Sequence, residues 1–200
     1  SEAAMRDALE IPAGASMAAL LANLLGEGER EVIRRLIPLC AAGSANDVKQ
    51  VPRLRAITGR AADLAVMEDI FLNGEKAKEP FSPKIGTFPT KATRAKAPDL
   101  CDDLDDLMAR VARARPLRLA LQTLARSRAM HDFARAFLAR YEAAKARRGL
   151  LDFDDLIRRA QRLLDSREVA QWVLFKLDGG IDHILVDEAQ DTSPGQWAVI

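Results

Sequence analysis

Two pairs of polar residues near the end of the chain have the composition of a catalytic site. Asp187 and Glu188 directly follow the apolar run "HILV", and Gln190 and Asp191 come one residue later. A carboxylate in such a place can hold Mg²⁺, usually through water, while the metal bridges the phosphate oxygens of a nucleotide. A second carboxylate within reach of a water molecule can act as a general base. We therefore assign magnesium binding to Asp187 and the general-base role to Glu188.

The segment "HILVD", residues 183–187, is expected to position these acids. It is short, apolar and β-branched and lies between turn signals, a pattern typical of a buried parallel strand. Ligands of open α/β sheets bind beyond the carboxyl ends of the strands, where Asp187 and Glu188 would lie. After the acids, Thr192 or Ser193 can cap a helix whose first residue is Pro194. Apolar residues before an Asp-Glu pair form a Walker B pattern, although a surface strand that ends in acids gives the same letters.

Helices are expected to precede this strand. In "LDFDDLIRRAQRLL" the aspartates surround a helix start, which favours capping over metal binding. The apolar residues of that segment follow helical spacing and predict a buried stripe, made of Phe153, Leu156, Ile157, Ala160, Leu163 and Leu164. A short helix, "REVAQWVLFKLD", comes next. Trp172 and Trp197 lie in apolar helical patterns, which favours packing in a core or between domains over base stacking.

The rest of the composition also favours helices over sheets. The chain has 200 residues, of which 48% are hydrophobic and 5% aromatic. Apolar spacing predicts several short helices between residues 16 and 71, a helix from about Asp99, and a long helix that starts at Pro116 and ends at Gly149. Cys40 and Cys101 are far apart and lack metal-ligand spacing, so neither a disulfide framework nor a zinc site is indicated. His131 and His183 have no second imidazole at metal spacing.

Charge is distributed unevenly although the net charge is only +1. Residues 73–98 hold four prolines and many lysines and predict an exposed loop, in which we assign DNA binding to Lys84, Lys91, Arg94 and Lys96. A disordered linker is the alternative. Residues 110–148 carry eleven Lys or Arg against two acids, which fits either a phosphate-tracking helix or a solvated face paired with nearby aspartates.

The string "VDEAQDTSPGQW" resembles the second motif of the UvrD/Rep-type helicases of superfamily one. DEAD-box helicases would show Asp-Glu-Ala-Asp and would lack the Gln-Asp-Thr continuation. The upstream "GLLDFDDLI" resembles the segment that precedes this motif in the same family. Within that family, "YEAAKARRGLLDFDDLI", "FSPKIGTFPTKATRAKAP" and the end of the chain look most like the AddA-type helicase-nuclease subunits of alphaproteobacterial type.

This resemblance implies a mostly α fold with a partial α/β component. Residues 1–148 would form a helical, DNA-contacting 1B insertion, and residues 149–200 would return into the RecA-like P-loop NTPase domain 1A. The family implies ATP and Mg²⁺ as cofactors and a link from the nucleotide to DNA through Gln190 and Asp191. It also implies 3′ to 5′ translocation on single-stranded DNA, an exonuclease domain, an AddB-like partner and a role at duplex ends in double-strand break repair and recombination.

The sequence contains no GxxxxGK[ST] string, the loop that cradles nucleotide phosphates. We therefore expect the chain to be a piece of a larger protein and to be inactive alone. No signal peptide or membrane-spanning run is present, so a cytoplasmic location is expected. Two other interpretations stay open: a piece of a stand-alone UvrD-like helicase without a nuclease, and a non-enzymatic helical module that binds nucleic acid or protein.

Overall fold

Helices make up most of the chain, as the composition predicts. A computed structural model describes residues 1–164, 166–176, 183 and 185–197. By its contacts the chain divides into two compact units, Ser1–Asp132 and Phe133–Ile200. The predicted division into a 1B-like part and a 1A-like part after residue 148 concerns family domains and stays a prediction.

The first unit is built from seven short helices and the start of a long one. In chain order these are α1 (Glu2–Ala8), α2 (Met17–Leu24), α3 (Glu27–Ala41), α4 (Ala45–Val48), α5 (Val51–Arg55), α6 (Asp63–Phe71), α7 (Lys91–Arg94) and α8 (Pro98–Arg148). The boundary between the two units falls inside the residue range of α8. The prediction that a helix starts at Pro116 is wrong, because α8 runs through this proline without a break.

The core of the first unit is formed by apolar faces at helical spacing. Leu36 and Cys40 of α3, Met67 and Ile70 of α6 and Met108 of α8 have no solvent-exposed surface. Burial and, to a lesser extent, the charge of Asp47 together raise the pKa of the Cys40 thiol to about 12. The thiol therefore stays protonated and acts as an apolar packing group.

The expectation that residues 73–98 form an exposed loop is wrong for part of the segment. Phe88 and Thr93 are buried, and Leu72 forms an isolated antiparallel bridge with Pro83. Asn73 donates its backbone N–H to Ser82 O at 2.8 Å. Hydrogen bonds and a few buried apolar side chains keep this segment in place. The segment forms no regular helix or strand with one buried face, so its sequence shows no periodicity.

One carboxylate ties this segment to α4. Asp47, which is 1% exposed, accepts hydrogen bonds from the backbone N–H and hydroxyl of Thr90 at 2.9 and 2.6 Å. It also accepts from the Thr93 hydroxyl at 2.8 Å and from the backbone and hydroxyl of Ser44 at 3.1 and 3.0 Å. Burial alone would raise the pKa of Asp47, but these donors lower it to about 2. Asp47 is therefore a charged anchor inside the first unit.

The second unit contains α9 (Phe153–Leu164), α10 (Arg167–Lys176), a 3₁₀ turn (Ala189–Asp191) and α11 (Pro194–Trp197). Helix α9 packs against both α10 and α11. The prediction of a buried stripe on α9 is wrong in this structure, because Phe153, Leu156 and Leu163 are 85%, 51% and 55% exposed. A helical stripe is buried only where another element covers it, and the described part of this unit supplies none for these three residues.

The described residues of "HILVD" form no β-strand, which corrects the prediction of a buried parallel strand. His183 and the residues 185–187 lack strand pairing, Leu185 is fully exposed, and Ile184 lies outside the described residues. A parallel strand requires neighbours for its backbone N–H and C=O groups, and no such neighbours occur among the described residues. The expected α/β component is therefore not present in the described part of the chain.

Among the described residues, no helix is both long enough and apolar enough to cross a lipid bilayer.

Candidate functional site

The predicted acid pair lies on an exposed, tightly turned segment. Asp187 Oδ1 accepts the backbone N–H of Glu188 at 2.9 Å, and Glu188 Oε2 accepts from the side-chain amide of Gln190. The backbone of Glu188 is left-handed, with φ 51° and ψ 43°, an uncommon conformation for a residue other than glycine. The 3₁₀ turn that starts at Ala189 follows immediately. The turn thus brings Asp187, Glu188 and Gln190 together, while Asp191 ends it.

These carboxylates suit the cation that the sequence implies. Asp187 and Glu188 are exposed, and carboxylate oxygens are hard donors of the type that Mg²⁺ selects. No group of three potential metal ligands occurs among the described residues. A magnesium site usually needs only one or two protein carboxylates because water and substrate phosphates complete the coordination, so magnesium binding by Asp187 stays a prediction.

Helix α11, which follows the acid segment, begins with a reciprocal cap. The backbone N–H of Gln196 donates to Ser193 Oγ at 3.3 Å, and the backbone N–H of Ser193 donates to Gln196 Oε1 at 2.7 Å. Pro194 occupies the first helical position. The predicted cap at Ser193 is therefore confirmed, and it fixes the direction in which the chain leaves the acid segment.

Helix α9 holds α11 through one side chain. Gln161 Nε2 donates to Gly195 O at 2.5 Å. A Cβ atom at Gly195 would lie 3.3 Å from the same nitrogen, so the approach is close. Sequence reasoning missed Gln161, because polar residues flank the apolar stripe of every amphipathic helix and nothing in the sequence distinguishes this one.

Lys145 fixes the start of α9 and was also missed. Its ammonium is 2.8 Å from Asp152 Oδ2, 2.6 Å from Asp155 Oδ2 and 2.9 Å from Glu142 Oε1. Burial opposes the charge of Lys145, but these carboxylates raise its pKa above the usual range. The pKa of Asp152 and that of Asp155 are lowered in turn, chiefly by the hydrogen bond from Lys145.

Asp152 and Asp155 also cap α9 reciprocally. The backbone N–H of Asp155 donates to Asp152 Oδ1 at 2.9 Å, and that of Asp152 donates to Asp155 Oδ2 at 3.2 Å. This confirms the prediction that these aspartates cap a helix. The acid segment, α11, α9 and the last turns of α8 are thus joined by successive polar contacts.

Comparison with known proteins decides the family. Residues 44–200 match the family described as the UvrD/REP helicase N-terminal domain, and this stretch includes the acid pair, both caps and α9. The chain belongs to the UvrD/REP helicase N-terminal domain family. It is also 43% identical over 68 residues to the protein named RecBCD enzyme subunit RecB of Mycolicibacterium smegmatis. That match covers 34% of this chain and 6% of the length of the relative. No solved structure matches the chain significantly.

The four basic residues predicted to bind DNA have different surroundings in this member of the UvrD/REP family. Arg94 donates to both oxygens of Asp105, at 2.9 and 2.6 Å, and to Phe88 O at 3.0 Å. Lys96 is exposed and donates to Ala42 O at 3.2 Å, and Lys91 is exposed on α7. Arg94 therefore has an internal role, whereas Lys91 and Lys96 are accessible from solvent.

Lys84 lies at the carboxyl end of α6. Its ammonium donates to Ile70 O at 2.7 Å and to Asp69 O at 3.3 Å, where a cation is favourable to the helix dipole. Burial lowers the pKa of Lys84, and the nearby charge of Arg53 lowers it further. The residue is half-buried, so most of its donors serve the fold.

The two tryptophans are not packed in the described part of the chain. Trp172 is 60% exposed and Trp197 is 45% exposed. Lys176 Nζ lies 5.8 Å from the centre of the Trp172 ring. Neither side chain is therefore buried in a core of the second unit, and packing between domains stays a prediction.

Proposed function

We propose that the chain is part of an ATP-dependent DNA helicase in which Asp187 and Glu188 serve nucleotide hydrolysis. The observation that carries this proposal is the acid pair itself. It stands in a Walker B-like string, within a stretch that matches the UvrD/REP helicase family, and on an exposed turn that leaves both carboxylates accessible. The chain spans about 6% of the length of the relative it matches, so the activity is proposed for the whole protein.

The two carboxylates have different tasks in this proposal. Asp187 would hold Mg²⁺, and the metal would supply positive charge beside the nucleotide phosphates. Glu188 takes a proton from the attacking water, for which it needs hydrogen-bond reach to that water. Gln190 contacts Glu188 directly and so orients its carboxylate. Gln190 and Asp191 then link the nucleotide to the DNA-binding surfaces.

The finer assignment is an AddA-type helicase-nuclease subunit. Residues 1–148 act as the 1B-like part and residues 149–200 as part of domain 1A. The whole protein moves 3′ to 5′ on single-stranded DNA, pairs with an AddB-like subunit and processes duplex ends with an exonuclease domain. The sequence strings that resemble AddA support this assignment, and the name of the relative, a subunit of the RecBCD enzyme, fits a protein that works with a partner subunit. In the 1B-like part, Lys91 and Lys96 are the best-placed DNA-binding residues because both are exposed.

The acid pair is tested by amide substitution in the full-length protein. Asp187→Asn and Glu188→Gln keep the size of each side chain and remove the charge. If Glu188 is the general base, Glu188→Gln lowers kcat for ATP by about 10²- to 10⁴-fold and leaves nucleotide binding intact. Asp187→Asn raises the Mg²⁺ concentration needed for half-maximal rate.

The matched control for this experiment is Asp154→Asn, an exposed aspartate in the first turn of α9. It should leave kcat for ATP and the Mg²⁺ concentration for half-maximal rate unchanged. Full ATPase activity in the double variant of Asp187 and Glu188 would refute the proposed function.

A further inference from the structure

The first unit contains a polar cleft that the proposed hydrolysis site does not use. The cleft has a volume of about 660 Å³ and is bordered by α5, α6, α8 and the segment after α6. Its basic lining residues are Arg53, Lys84, Arg115 and Arg118. A volume of this size lies in the range of about 300 to 1,000 Å³ that small-molecule sites occupy.

Glu68 neutralises one of these cations and positions a second. Arg118 donates to both oxygens of Glu68, to Oε2 at 2.8 Å, and its third nitrogen donates to Gln122 at 3.1 Å. Arg115 Nε lies 3.2 Å from Glu68 Oε2. The Arg115 guanidinium carbon also lies 3.5 Å from the centre of the Phe81 ring. Glu68 therefore neutralises the charge of Arg118, and stacking on the Phe81 ring fixes the orientation of the Arg115 guanidinium.

One buried polar atom of this cleft lacks a partner. Among the described residues, Gln50 Oε1 is a buried acceptor with no hydrogen bond, whereas buried Arg115 Nε lacks ideal hydrogen-bond geometry but faces Glu68 Oε2 in the ion pair described above. Gln50 lines the same cleft as the four cations. Buried polar groups are nearly always hydrogen-bonded, so an unpaired acceptor beside these cations indicates a site that a ligand completes.

Two further cations of the cleft, Arg53 and Lys84, repel each other. Arg53 and Lys84 are close enough for the charge of Arg53 to lower the pKa of Lys84, in addition to the effect of burial. Asp69 also borders the cleft and acts in the opposite direction, but the pKa of Lys84 stays lowered. An anion between these groups would relieve the repulsion.

Phe81 adds backbone strain at the same place. Its φ is 59°, in the left-handed region that an aromatic residue rarely adopts. Strained residues of this kind persist where the surrounding contacts hold them, and they are frequent at ligand sites. Here the strain places the Phe81 ring under the Arg115 guanidinium.

We propose that this cleft binds a phosphate monoester, with the phosphate on Arg53 and Arg115 and a donor group of the same ligand on Gln50 Oε1. A monoester carries a charge of about −1.5 to −2, which suits Arg53, Lys84 and Arg115 better than the single charge of a carboxylate. The acceptors of the cleft, Gln50, Asp69 and Glu75, suit hydroxyl or amino groups elsewhere on the ligand. A 5′-nucleotide and the 5′-phosphorylated end of a DNA strand share this chemistry.

Calorimetric titration of the full-length protein tests the proposal, with a non-hydrolysable ATP analogue filling the nucleotide site. The probes are inorganic phosphate, a 5′-nucleoside monophosphate, and one short oligonucleotide with and without a 5′-phosphate. We expect the phosphorylated probes to bind, and Arg53→Gln to weaken them by about tenfold or more. Gln50→Met, which removes the acceptor but keeps the length, should weaken the nucleotide more than inorganic phosphate.

Arg55→Gln is the matched control because Arg55 is exposed on the same helix, α5, and does not line this cleft. It should change binding by less than about twofold. Stronger binding of the free nucleotide than of the phosphorylated end identifies a small-molecule site, and the reverse identifies a DNA-end site. Equal binding of the two oligonucleotides together with no binding of the monophosphate would overturn the proposal, as would equal losses in Arg53→Gln and Arg55→Gln. Neither outcome that overturns the phosphate site would change ATPase activity, so failure of this proposal can be distinguished from failure of the proposed function.

Discussion

The stability of the first unit should depend on the charge of one buried carboxylate. Asp47 joins α4 to the segment around Thr90 and Thr93, which lie 43 and 46 residues away along the chain. Asp47→Asn preserves the shape of the side chain but places an amide where Oδ1 or Oδ2 accepts donors. At least one of the donors from Ser44, Thr90 and Thr93 would then face another donor.

The structure sets the size of the effect. The hydrogen bonds hold the pKa of Asp47 at about 2, compared with an ordinary value of 3.8. This difference corresponds to about 2 kcal/mol of unfolding free energy at neutral pH, at 1.36 kcal/mol per pKa unit. Because buried donors also lose their acceptor, we expect Asp47→Asn to lower the unfolding free energy by about 2 to 4 kcal/mol.

The same contribution should depend on pH in a defined direction. Since the folded-state pKa is lower than the unfolded one, the contribution is complete above about pH 4 and is lost as the pH falls from about 4 towards 2. The difference between the wild-type chain and Asp47→Asn should therefore shrink over this interval. Urea unfolding followed by circular dichroism at a series of pH values measures the loss of unfolding free energy in Asp47→Asn and its dependence on pH.

Asp7→Asn provides the control, because Asp7 is an exposed aspartate on α1. Its unfolding free energy should match that of the wild-type chain to within about 0.5 kcal/mol. An equally small change for Asp47→Asn at neutral pH, or a difference that stays constant down to pH 2, would refute the anchoring role of Asp47.

Three further predictions concern activity and binding. The 200-residue chain should release no phosphate from ATP, because its sequence holds no GxxxxGK[ST] loop; a malachite-green assay measures this. In the full-length protein, Gln161→Glu removes the donor to Gly195 O without changing the side-chain shape. It should lower kcat for ATP by about tenfold with little change in KM, because the segment after the acids loses its support. Neutralising Lys91 and Lys96 together should weaken binding to a forked DNA duplex and reduce its salt dependence, as measured by fluorescence anisotropy.

Matched controls exist for the last two experiments. Arg159→Gln changes an exposed residue on the same helix as Gln161 and should leave kcat unchanged. If Gln161→Glu also has no effect, Gln161 does not position the acid segment. Neutralising the exposed Lys76 and Lys78 removes the same charge from the same basic segment. An equal loss of affinity in both double variants would show general electrostatic attraction instead of a contact at Lys91 and Lys96.

Local sequence determined the features that depend on residues close together in the chain. The cap formed by Asp152 and Asp155 was predicted, and Thr192 or Ser193 was predicted for the next cap, because each cap depends on residues within three positions of one another. The structure decides for Ser193. The mostly helical fold followed from composition and apolar spacing. Membership in the UvrD/REP helicase family followed from "VDEAQDT" and "LDFDDLI", because a sequence motif depends only on residue types at fixed positions along the chain.

Only the tertiary structure decided which groups meet across long separations. Asp47 with Thr93, Arg94 with Asp105, and Gln161 with Gly195 are contacts that no periodicity predicts, because they depend on how separate helices pack. The dependence on how helices pack also explains the two wrong predictions for the second unit. The stripe on α9 is exposed and "HILVD" forms no strand in its described residues, because burial and pairing require neighbouring elements that a sequence pattern cannot supply by itself.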